Sequence, residues 1–275
     1  MEAVCPICPR HCRLEESQSS FCRARRNVGG RVISENYGQL TALALDPIEK
    51  KPLRRFHPGS SILSAGSFGC NLRCPFCQNH HISMVSAETP DTVFLSPEEL
   101  ARRAKGLEPQ GNIGVAYTYN EPLVGYEYLL DSAKALRGMG MKNVVVTNGY
   151  IDATPLLELL PFLDAMNIDL KGFTGAFYRK LGGDLDTVKQ SISLAAARIH
   201  VEVTTLIIPG ENDSEAEMEA LSAWLASVRE DIPLHISRFF PRYRYARKDA
   251  TPADTIYHLA EIARRRLRFV YAGNC

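Results

Sequence analysis

The sequence has no cysteine between residues 78 and 274, although the chain of 275 residues contains eight. Seven of them lie before residue 78 in two groups, and Cys275 is the eighth. A core that used cysteine as a small apolar residue would scatter it along the chain. Clustered cysteines in a reducing compartment indicate metal binding or redox chemistry more often than disulfides. The distribution therefore predicts two metal or redox sites, one for each group.

Long apolar runs are also absent, since no window approaches the roughly 18 apolar residues of a membrane-spanning helix. Residues 1–12 contain no apolar signal core, so we expect a cytoplasmic protein without a membrane partner. The formal net charge is only +1, which creates no global field for a polyanion and makes nucleic acid an unexpected partner. We interpret the local arginine-rich stretches as solvated faces or as a docking surface for an acidic electron donor.

Six apolar, β-rich runs alternate with helical patterns beyond residue 60. The runs cover residues 61–66, 113–119, 143–147, 164–170, 200–208 and 234–240. Strict alternation of strands and helices predicts right-handed βαβ units and a parallel sheet that is buried on both faces. The pattern fits either an open doubly wound sheet or a partial (β/α)6 barrel, and in both folds reactive residues lie at the carboxyl ends of the strands.

Polar or glycine-rich motifs follow five of these six runs. They are the Cys70 loop, "YNEP" (119–122), "TNGY" (147–150), "IDLKG" (168–172) and "IPGEND" (208–213). Because the carboxyl ends of parallel strands meet at one edge of a sheet, we expect these motifs to share one site there.

The second cysteine group, Cys70, Cys74 and Cys77, has the spacing C-x3-C-x2-C on a single loop. Three thiolates on one loop can hold three irons of a cubane cluster and leave the fourth iron open for a substrate or cofactor. A tetrahedral zinc site needs a fourth ligand, which His80 or His81 can supply. The position directly after the first strand favours the iron–sulfur interpretation.

The first group, Cys5, Cys8, Cys12 and Cys22, lies in a loop-rich stretch outside the β/α repeat. Four thiolates suit either a closed zinc site or an auxiliary [4Fe–4S] cluster. We therefore predict an N-terminal metal-binding module with its linker over residues 1–58 and a barrel over residues 59–275. A zinc-binding nucleic-acid or scaffold protein is the alternative from a different class.

Residues 61–275 resemble a radical S-adenosylmethionine enzyme, and "CNLRCPFC" is similar to the cluster motif of that superfamily. The resemblance implies a partial (β/α)6 TIM-type barrel and an oxidoreductase in which Cys70, Cys74 and Cys77 bind a [4Fe–4S] cluster. It further implies that the cluster cleaves S-adenosylmethionine to a 5′-deoxyadenosyl radical, which abstracts hydrogen from a substrate. Reduced flavodoxin or ferredoxin is the implied electron donor.

The resemblance also assigns cofactor contacts. Phe76 is implied near the adenine, and Asn120 and Glu121 near the methionine amine. The Asp-x-Lys of "IDLKG" is similar to that of glycyl-radical-enzyme activases such as the activating enzyme of pyruvate formate-lyase. The remaining implied contacts, with Lys171 also taken as catalytic, are Asn148, Asp169, Lys171, Thr204 and Ile208.

A closer resemblance covers most of the chain. "CPICPRHC", "DPIEKKPL", "CQN", "NIDLKGF" and "YAGN" together resemble the AmmeMemoRadiSam-system radical enzymes, whose names refer to accompanying Memo-type and Ammecr-type proteins. Two functions follow as hypotheses. One is activase-like hydrogen abstraction from a protein substrate, and the other is biosynthetic or peptide-modifying chemistry with Memo-type or Ammecr-type partners.

Several of these residues also have purely structural interpretations. Asn120 and Glu121 suit the cap of a helix that begins at Pro122. The Asp169 and Lys171 side chains point to the same side of a strand and suit a buried ion pair. His235 either faces the substrate or is a satisfied core residue, and Cys275 is a ligand, a hydrogen donor or an exposed chain end.

Overall fold

Fourteen strands and eight helices form the protein, which we describe for residues 1–275 from a computed structural model. In chain order the strands are β1 (Ala3–Val4), β2 (Arg13–Leu14), β3 (Arg25–Val28), β4 (Arg31–Ser34), β5 (Gln39–Leu40), β6 (Ala42–Pro47), β7 (Ser61–Gly66), β8 (Val93–Phe94), β9 (Asn112–Tyr117), β10 (Lys142–Thr147), β11 (Ala165–Asp169), β12 (His200–Ile207), β13 (Leu234–Arg238) and β14 (Val270–Gly273). The helices are α1 (His80–Ser83), α2 (Pro97–Gly106), α3 (Tyr126–Gly138), α4 (Ala153–Leu159), α5 (Gly175–Leu181), α6 (Leu185–Ala196), α7 (Glu215–Val228) and α8 (Ala253–Arg264). No helix is long and apolar enough to cross a membrane.

Eight of the strands form one sheet in the order β14-β13-β12-β11-β10-β9-β7-β6. The six predicted strands are confirmed as β7 and β9 to β13, and these six run parallel to one another. Helices α2, α3, α6 and α7 lie in the connections between them, as the alternating pattern indicated. All six carboxyl ends therefore lie at one edge of the sheet, which we call the rim.

Two further strands extend the sheet beyond the six predicted ones. Strand β6 pairs antiparallel with β7, and β14 pairs parallel with β13. Both are edge strands, and most positions of β6 are half-buried or exposed, so neither shows the continuous apolar run that identifies a buried strand. The predicted boundary at residue 58 is thus too late for the sheet, because residues 42–47 already belong to it.

The sheet curves around an interior cavity. Lys50 and Lys51 follow one edge strand, Asn274 follows the other, and all three line the same cavity. The two edge strands are not paired with each other. This arrangement is the predicted partial barrel, in which the interior opens at the rim.

The opposite end of the barrel is closed by the segment between β6 and β7, which we call the floor (residues 48–60). Its apolar side chains pack against small residues of the neighbouring strands. This cluster consists of Ile48, Leu53, Phe56, Ile62, Ala116, Val144 and Ala165. The floor therefore covers the amino ends of the strands, while the cavity opens at the rim.

Polar contacts of Glu202 attach the floor to the sheet. The side chain is fully buried, and its carboxylate accepts the backbone N–H groups of Arg54 at 3.0 Å and Arg55 at 2.7 Å. It also lies 2.9 Å from His200 Nε2 and 2.6 Å from His235 Nε2. Burial alone raises the pKa of this carboxyl, but the hydrogen bonds outweigh burial and lower it to about 2. His235 is thus a satisfied core residue and does not line the cavity.

The N-terminal segment, residues 1–41, packs against the loops of the rim. The carbonyl of Cys22 accepts the N–H of Cys70 at 3.2 Å, and the carbonyl of Ile7 accepts the N–H of Asp152 at 3.0 Å. The buried Arg25 donates to the carbonyl of Val124 in the turn after β9 at 3.1 Å and to Glu127 of α3 at 2.7 Å. Three rim loops therefore fix the position of this segment, and its two short ladders, β1-β2 and β3-β4, supply little structure by themselves.

Replacing Glu202 with Gln tests the contribution of the floor contact. We expect the free energy of unfolding at pH 7 to fall by about 3 kcal/mol, since the carboxylate pKa drops from 4.5 in the unfolded chain to about 2 on folding. A lowered pKa stabilises the folded state above pH 4.5, and this contribution disappears as the pH falls towards 2. Urea unfolding of the metal-free chain at several pH values measures it.

Glu88→Gln is the matched control, because Glu88 is exposed and makes no ion pair. It should change the unfolding free energy by less than about 0.5 kcal/mol. A difference between Glu202→Gln and wild type that stays constant from pH 7 to pH 3 would contradict the assignment.

Candidate active site

A cavity of about 370 Å³ opens at the rim and collects nearly all of the predicted site residues. Those that line it are Cys70, Cys74, Phe76, Cys77, Asn120, Glu121, Asn148, Asp169, Lys171 and Thr204. Ile208 is the exception. It is fully buried and does not line the cavity, because β12 ends at Ile207 and Asn212 accepts the Ile208 N–H at 2.8 Å, which turns the backbone away.

The three cysteines lie on the loop that leaves β7, and the backbone of this loop faces the cavity. The N–H of Leu72 donates to Cys70 Sγ at 3.3 Å, and Asn148 Nδ2 donates to the same sulfur at 3.7 Å. The N–H of Cys77 donates to the carbonyl of Cys74 at 3.2 Å. These contacts form a tight loop that presents three sulfurs to one cavity.

The donor set fits a cubane cluster. Burial raises the pKa of Cys74 to about 11 and also raises that of Cys77, so both side chains are neutral thiols until a cation binds them. No three Cys, His, Asp or Glu side chains converge closely enough to hold a single metal ion. A [4Fe–4S] cluster requires no such convergence, since each thiolate binds a different iron. Three thiols leave one iron without a protein ligand.

Neither neighbouring histidine completes a fourfold donor set. The ring of His80 stacks on Tyr243 with 4.5 Å between the ring centroids, and its Nδ1 lies 3.3 Å from the carbonyl of Cys77. His81 is exposed, and neither side chain lines the cavity. The structure therefore gives the zinc alternative no fourth ligand from these two residues.

Asn120 determines the path of the cysteine loop. Its Oδ1 accepts the N–H of Ser67 at 2.9 Å, while its Nδ2 donates to the carbonyls of Phe68 at 3.0 Å and Gly69 at 3.1 Å. These bonds join the loop after β9 to the loop after β7, one residue before Cys70. The Asn120 amide is thus engaged within the protein, although the residue borders the cavity.

Glu121 is buried, and both of its oxygens accept hydrogen bonds. Thr147 Oγ1 donates to it at 2.6 Å and the N–H of Asn148 at 2.8 Å, so the side chain connects the ends of β9 and β10. It also accepts the N–H of Leu123 at 3.1 Å and caps the 3₁₀ turn Pro122–Gly125. These hydrogen bonds lower the pKa of Glu121, but burial outweighs them and raises it to about 7.

Asp169 and Lys171 form an ion pair on the wall of the cavity, with 2.8 Å between Asp169 Oδ2 and Lys171 Nζ. Burial alone lowers the pKa of Lys171, but the adjacent carboxylate outweighs burial and raises it. Lys171 therefore remains positively charged, and the pair presents both signs of charge to one side of the cavity.

Aromatic rings form the apolar wall beside the cysteines. Phe76 is buried and packs parallel to Phe177 with 6.3 Å between ring centroids, and Tyr245 lies 6.2 Å from Phe76. The N–H groups of Arg244 and Tyr245 donate to the carbonyl of Pro75, which attaches the loop after β13 to the cysteine loop. This wall suits a flat apolar group beside the charged pair.

Residues 66–221 match the family model of the radical SAM superfamily. The chain belongs to this superfamily. Its members use a [4Fe–4S] cluster and S-adenosylmethionine. The resemblance stated from the sequence motifs is confirmed at this level.

The chain is also similar to individual proteins. An uncharacterized protein of Methanocaldococcus jannaschii is 40% identical over 98% of this chain and 80% of its own length. The pyruvate formate-lyase-activating enzyme of Clostridium pasteurianum is 26% identical over 61% of this chain and 72% of its own length. Among solved structures, Streptococcus suis SuiB bound to its precursor peptide covers 76% of this chain and 47% of its own, with a TM-score of 0.60 and 14% identity. The last similarity shows the fold alone.

A polar group that the motif analysis left without a role lies at another side of the radical SAM cavity. Lys51 is buried, and its Nζ lies 2.9 Å from Asp46 Oδ2 and 4.7 Å from the ring centroid of Tyr119. Tyr119 donates to the same carboxylate at 2.8 Å. The motif "DPIEKKPL" contains Asp46 and Lys51, but their convergence with Tyr119 depends on the pairing of β6 with β7.

The four N-terminal cysteines also come together. They line a second, small cavity of about 10 Å³ beside the active-site loop. Its lining consists of Cys5, Ile7, Cys8, Arg10, Cys12, Ser20, Cys22, Arg25, Asn71 and Val124. All four thiols thus border one cavity. Cys275 is exposed and lines neither cavity.

Replacing Asn120 with Ala tests its role in holding the cysteine loop. The variant leaves the Ser67 N–H without its acceptor. The carbonyls of Phe68 and Gly69 each lose one donor and keep another, from Asn36 Nδ2 and from the N–H of Glu121, so we expect a cost of about 1–2 kcal/mol. We expect faster iron loss from the active-site loop, measured as the rate of iron transfer to a chelator under anaerobic conditions.

Asn143→Ala is the matched control. Asn143 is a buried asparagine at the opposite end of the barrel and donates to the carbonyl of Ala133 at 2.9 Å. It should lower stability by a similar amount and leave iron retention close to wild type. Equal iron loss from the two variants would show that Asn120 acts through general stability only.

Proposed function

We propose that the chain cleaves S-adenosylmethionine reductively, with Cys70, Cys74 and Cys77 as the ligands of the [4Fe–4S] cluster. The observation that carries this proposal is that these three cysteines, and no fourth, line the same cavity as the Asp169–Lys171 ion pair. When bound, the cluster supplies one electron that cleaves S-adenosylmethionine to methionine and a 5′-deoxyadenosyl radical.

The remaining roles follow from the side chains around the cavity. Lys171 and Asp169 offer a cation and an anion to the charged and hydroxyl groups of the cofactor. Phe76 offers an apolar face to the adenine, and Asn148 holds the sulfur of Cys70 in place. Thr204 donates to Asn167 at 2.9 Å, so its hydroxyl hydrogen is already used inside the barrel. We assign it a wall position only.

Protection of a carbon radical from water requires that the interior of the barrel be covered. The floor covers one end of the barrel through its packed apolar side chains and through Glu202, whose carboxylate binds the backbone of Arg54 and Arg55. A substrate therefore enters from the rim, beside the cysteine loop. Exclusion of water limits side reactions of a reactive intermediate.

The first test compares wild type with a Cys70/Cys74/Cys77→Ala variant. Anaerobically purified wild type with dithionite and S-adenosylmethionine should release 5′-deoxyadenosine, and the variant should contain about four fewer irons and release none. Metal analysis and chromatography of the products measure both. Cys275→Ala is the control and should behave as wild type, since Cys275 lines neither cavity. Zinc without iron in the wild type, and no deoxyadenosine, would overturn the proposal.

We further propose that the substrate is a protein, with hydrogen abstraction from a backbone glycine as in activating enzymes. Residues 1–49, which include the N-terminal segment, contribute no side chain to the cavity, and this supports a mouth that a partner chain can approach. Similarity to the pyruvate formate-lyase-activating enzyme of Clostridium pasteurianum supports the same class. Reduced flavodoxin or ferredoxin is the proposed electron donor.

The second candidate is a biosynthetic or peptide-modifying enzyme that works with Memo-type or Ammecr-type partners. The observation in its favour is the polar group that buried Lys51 forms with half-buried Asp46 and Tyr119. Such a group on the cavity wall suits recognition of a small polar substrate more than recognition of a glycine backbone.

Deuterium transfer distinguishes the two candidates. The encoding organism is grown on [2,2-²H₂]glycine, and its anaerobic lysate is separated into a protein fraction and a small-molecule fraction. The enzyme is then incubated with each fraction, S-adenosylmethionine and dithionite. We expect deuterated 5′-deoxyadenosine with the protein fraction, because abstraction from glycine Cα moves its deuterium to the 5′ carbon. Label from the small-molecule fraction alone would favour the second candidate. Protein labelled with deuterated alanine is the control and should transfer none.

A further inference from the structure

We propose that Cys5, Cys8, Cys12 and Cys22 hold a second [4Fe–4S] cluster that passes electrons to the cluster of the active site. The inference rests on the proposed function, since it assumes that the active-site cluster consumes electrons. It concerns the four thiols that the proposed reaction does not use.

The four thiols border one small cavity because local hydrogen bonds bring distant residues together. The N–H of Cys5 donates to the carbonyl of Cys12 at 3.0 Å, and this bond closes the first loop. Cys22 arrives from the turn before β3, where its sulfur lies 3.0 Å from Ser20 Oγ. Four thiolates saturate a [4Fe–4S] cluster, so this site leaves no iron open and suits electron transfer more than substrate binding.

A buried arginine without a full set of partners indicates a negatively charged centre in this cavity. Arg25 is 2% exposed, and its Nη atoms donate to Glu127 and to the carbonyl of Val124. Its Nε has no hydrogen-bond partner, although it is buried and the residue lines the cavity. An unpartnered buried donor is costly. The sulfurs of a metal–thiolate centre are acceptors that would satisfy it.

The two cysteine groups are directly connected. The carbonyl of Cys22, a ligand of the second site, accepts the N–H of Cys70, a ligand of the first, at 3.2 Å. Asn71 lines the cavity of the four N-terminal cysteines and provides a parallel link. Its Oδ1 accepts from Asn148 Nδ2 at 3.0 Å, and Asn148 also donates to Cys70 Sγ. Electron transfer between metal centres weakens with distance and with gaps in the bonded path. Ligands joined by one hydrogen bond provide a short path.

The proposed relay transfers one electron at a time. A low-potential one-electron donor, reduced flavodoxin, ferredoxin or dithionite, reduces the second cluster, which then reduces the active-site cluster. Each cleavage of S-adenosylmethionine consumes one electron. A protein with both clusters reduced therefore stores two electrons, whereas a zinc ion at the second site stores none because zinc has no redox chemistry.

Metal content and electron paramagnetic resonance test the second cluster independently of turnover. Wild type should contain about eight irons and a Cys5→Ser/Cys22→Ser variant about four. Dithionite-reduced wild type should show spectra broadened by interaction between two clusters, and the signal should sharpen in this variant and in the Cys70/Cys74/Cys77→Ala variant. Four irons with one zinc, or eight irons with two non-interacting signals, would overturn the proposal.

Counting stored electrons tests the relay. Protein is reduced, freed of dithionite and mixed with S-adenosylmethionine. Wild type should release about two deoxyadenosines per chain and Cys5→Ser/Cys22→Ser about one. Cys275→Ser is the matched control and should release as many as wild type. One deoxyadenosine from wild type, with a second cluster that stays reduced, would overturn the relay.

Two further outcomes of these experiments have distinct consequences for the proposal. If the Cys5→Ser/Cys22→Ser variant fails to fold, the wild-type resonance signals before and after S-adenosylmethionine decide the question. Loss of both signals supports the relay, and loss of one contradicts it. If wild type contains about eight irons with interacting signals and releases no deoxyadenosine, the proposed function fails while the second cluster is retained.

Discussion

The amide of Asn120 joins the ends of the first two parallel strands, and the geometry of the candidate active site depends on this contact. It binds backbone groups of residues 67–69 on both its oxygen and its nitrogen. Cys70 is the next residue, so the same amide determines where the first cysteine meets the cavity. Glu121 continues the network to Asn148, which approaches the sulfur of Cys70. One hydrogen-bond system therefore positions the cysteine loop and the cavity wall opposite it.

The two ends of the barrel have different roles: the floor stabilises the fold, and the rim carries the candidate active site. At the floor, an apolar cluster and the buried Glu202 carboxylate close the interior with every polar group of that carboxylate paired. At the rim, the ion pair of Asp169 and Lys171 and three thiols face an open cavity. This division follows from parallel strands, whose carboxyl ends carry variable loops while their amino ends are closed by packing.

The N-terminal segment is an integral part of this arrangement. It bonds to the loops after three strands, and its Cys22 carbonyl holds the backbone of Cys70. A segment that served only to cover the rim would need neither the contact between Cys22 and Cys70 nor a buried Arg25 whose Nε lacks an acceptor. The position of the four thiols beside the cysteine loop is the basis of the proposed electron relay.

The sequence by itself determined the six central strands, their parallel order and the three-cysteine loop, because buried strands and motif spacing are local patterns. Of the side chains that it predicted for the active site, all but Ile208 line the cavity. Only the tertiary structure decided the roles of the edge strands β6 and β14, whose half-exposed residues carry no buried-strand pattern. The same holds for the contact of Lys51 with Tyr119, the burial of Ile208 and the contact of Cys22 with Cys70. Each depends on residues far apart in the chain, and their convergence is set by strand pairing rather than by local preference.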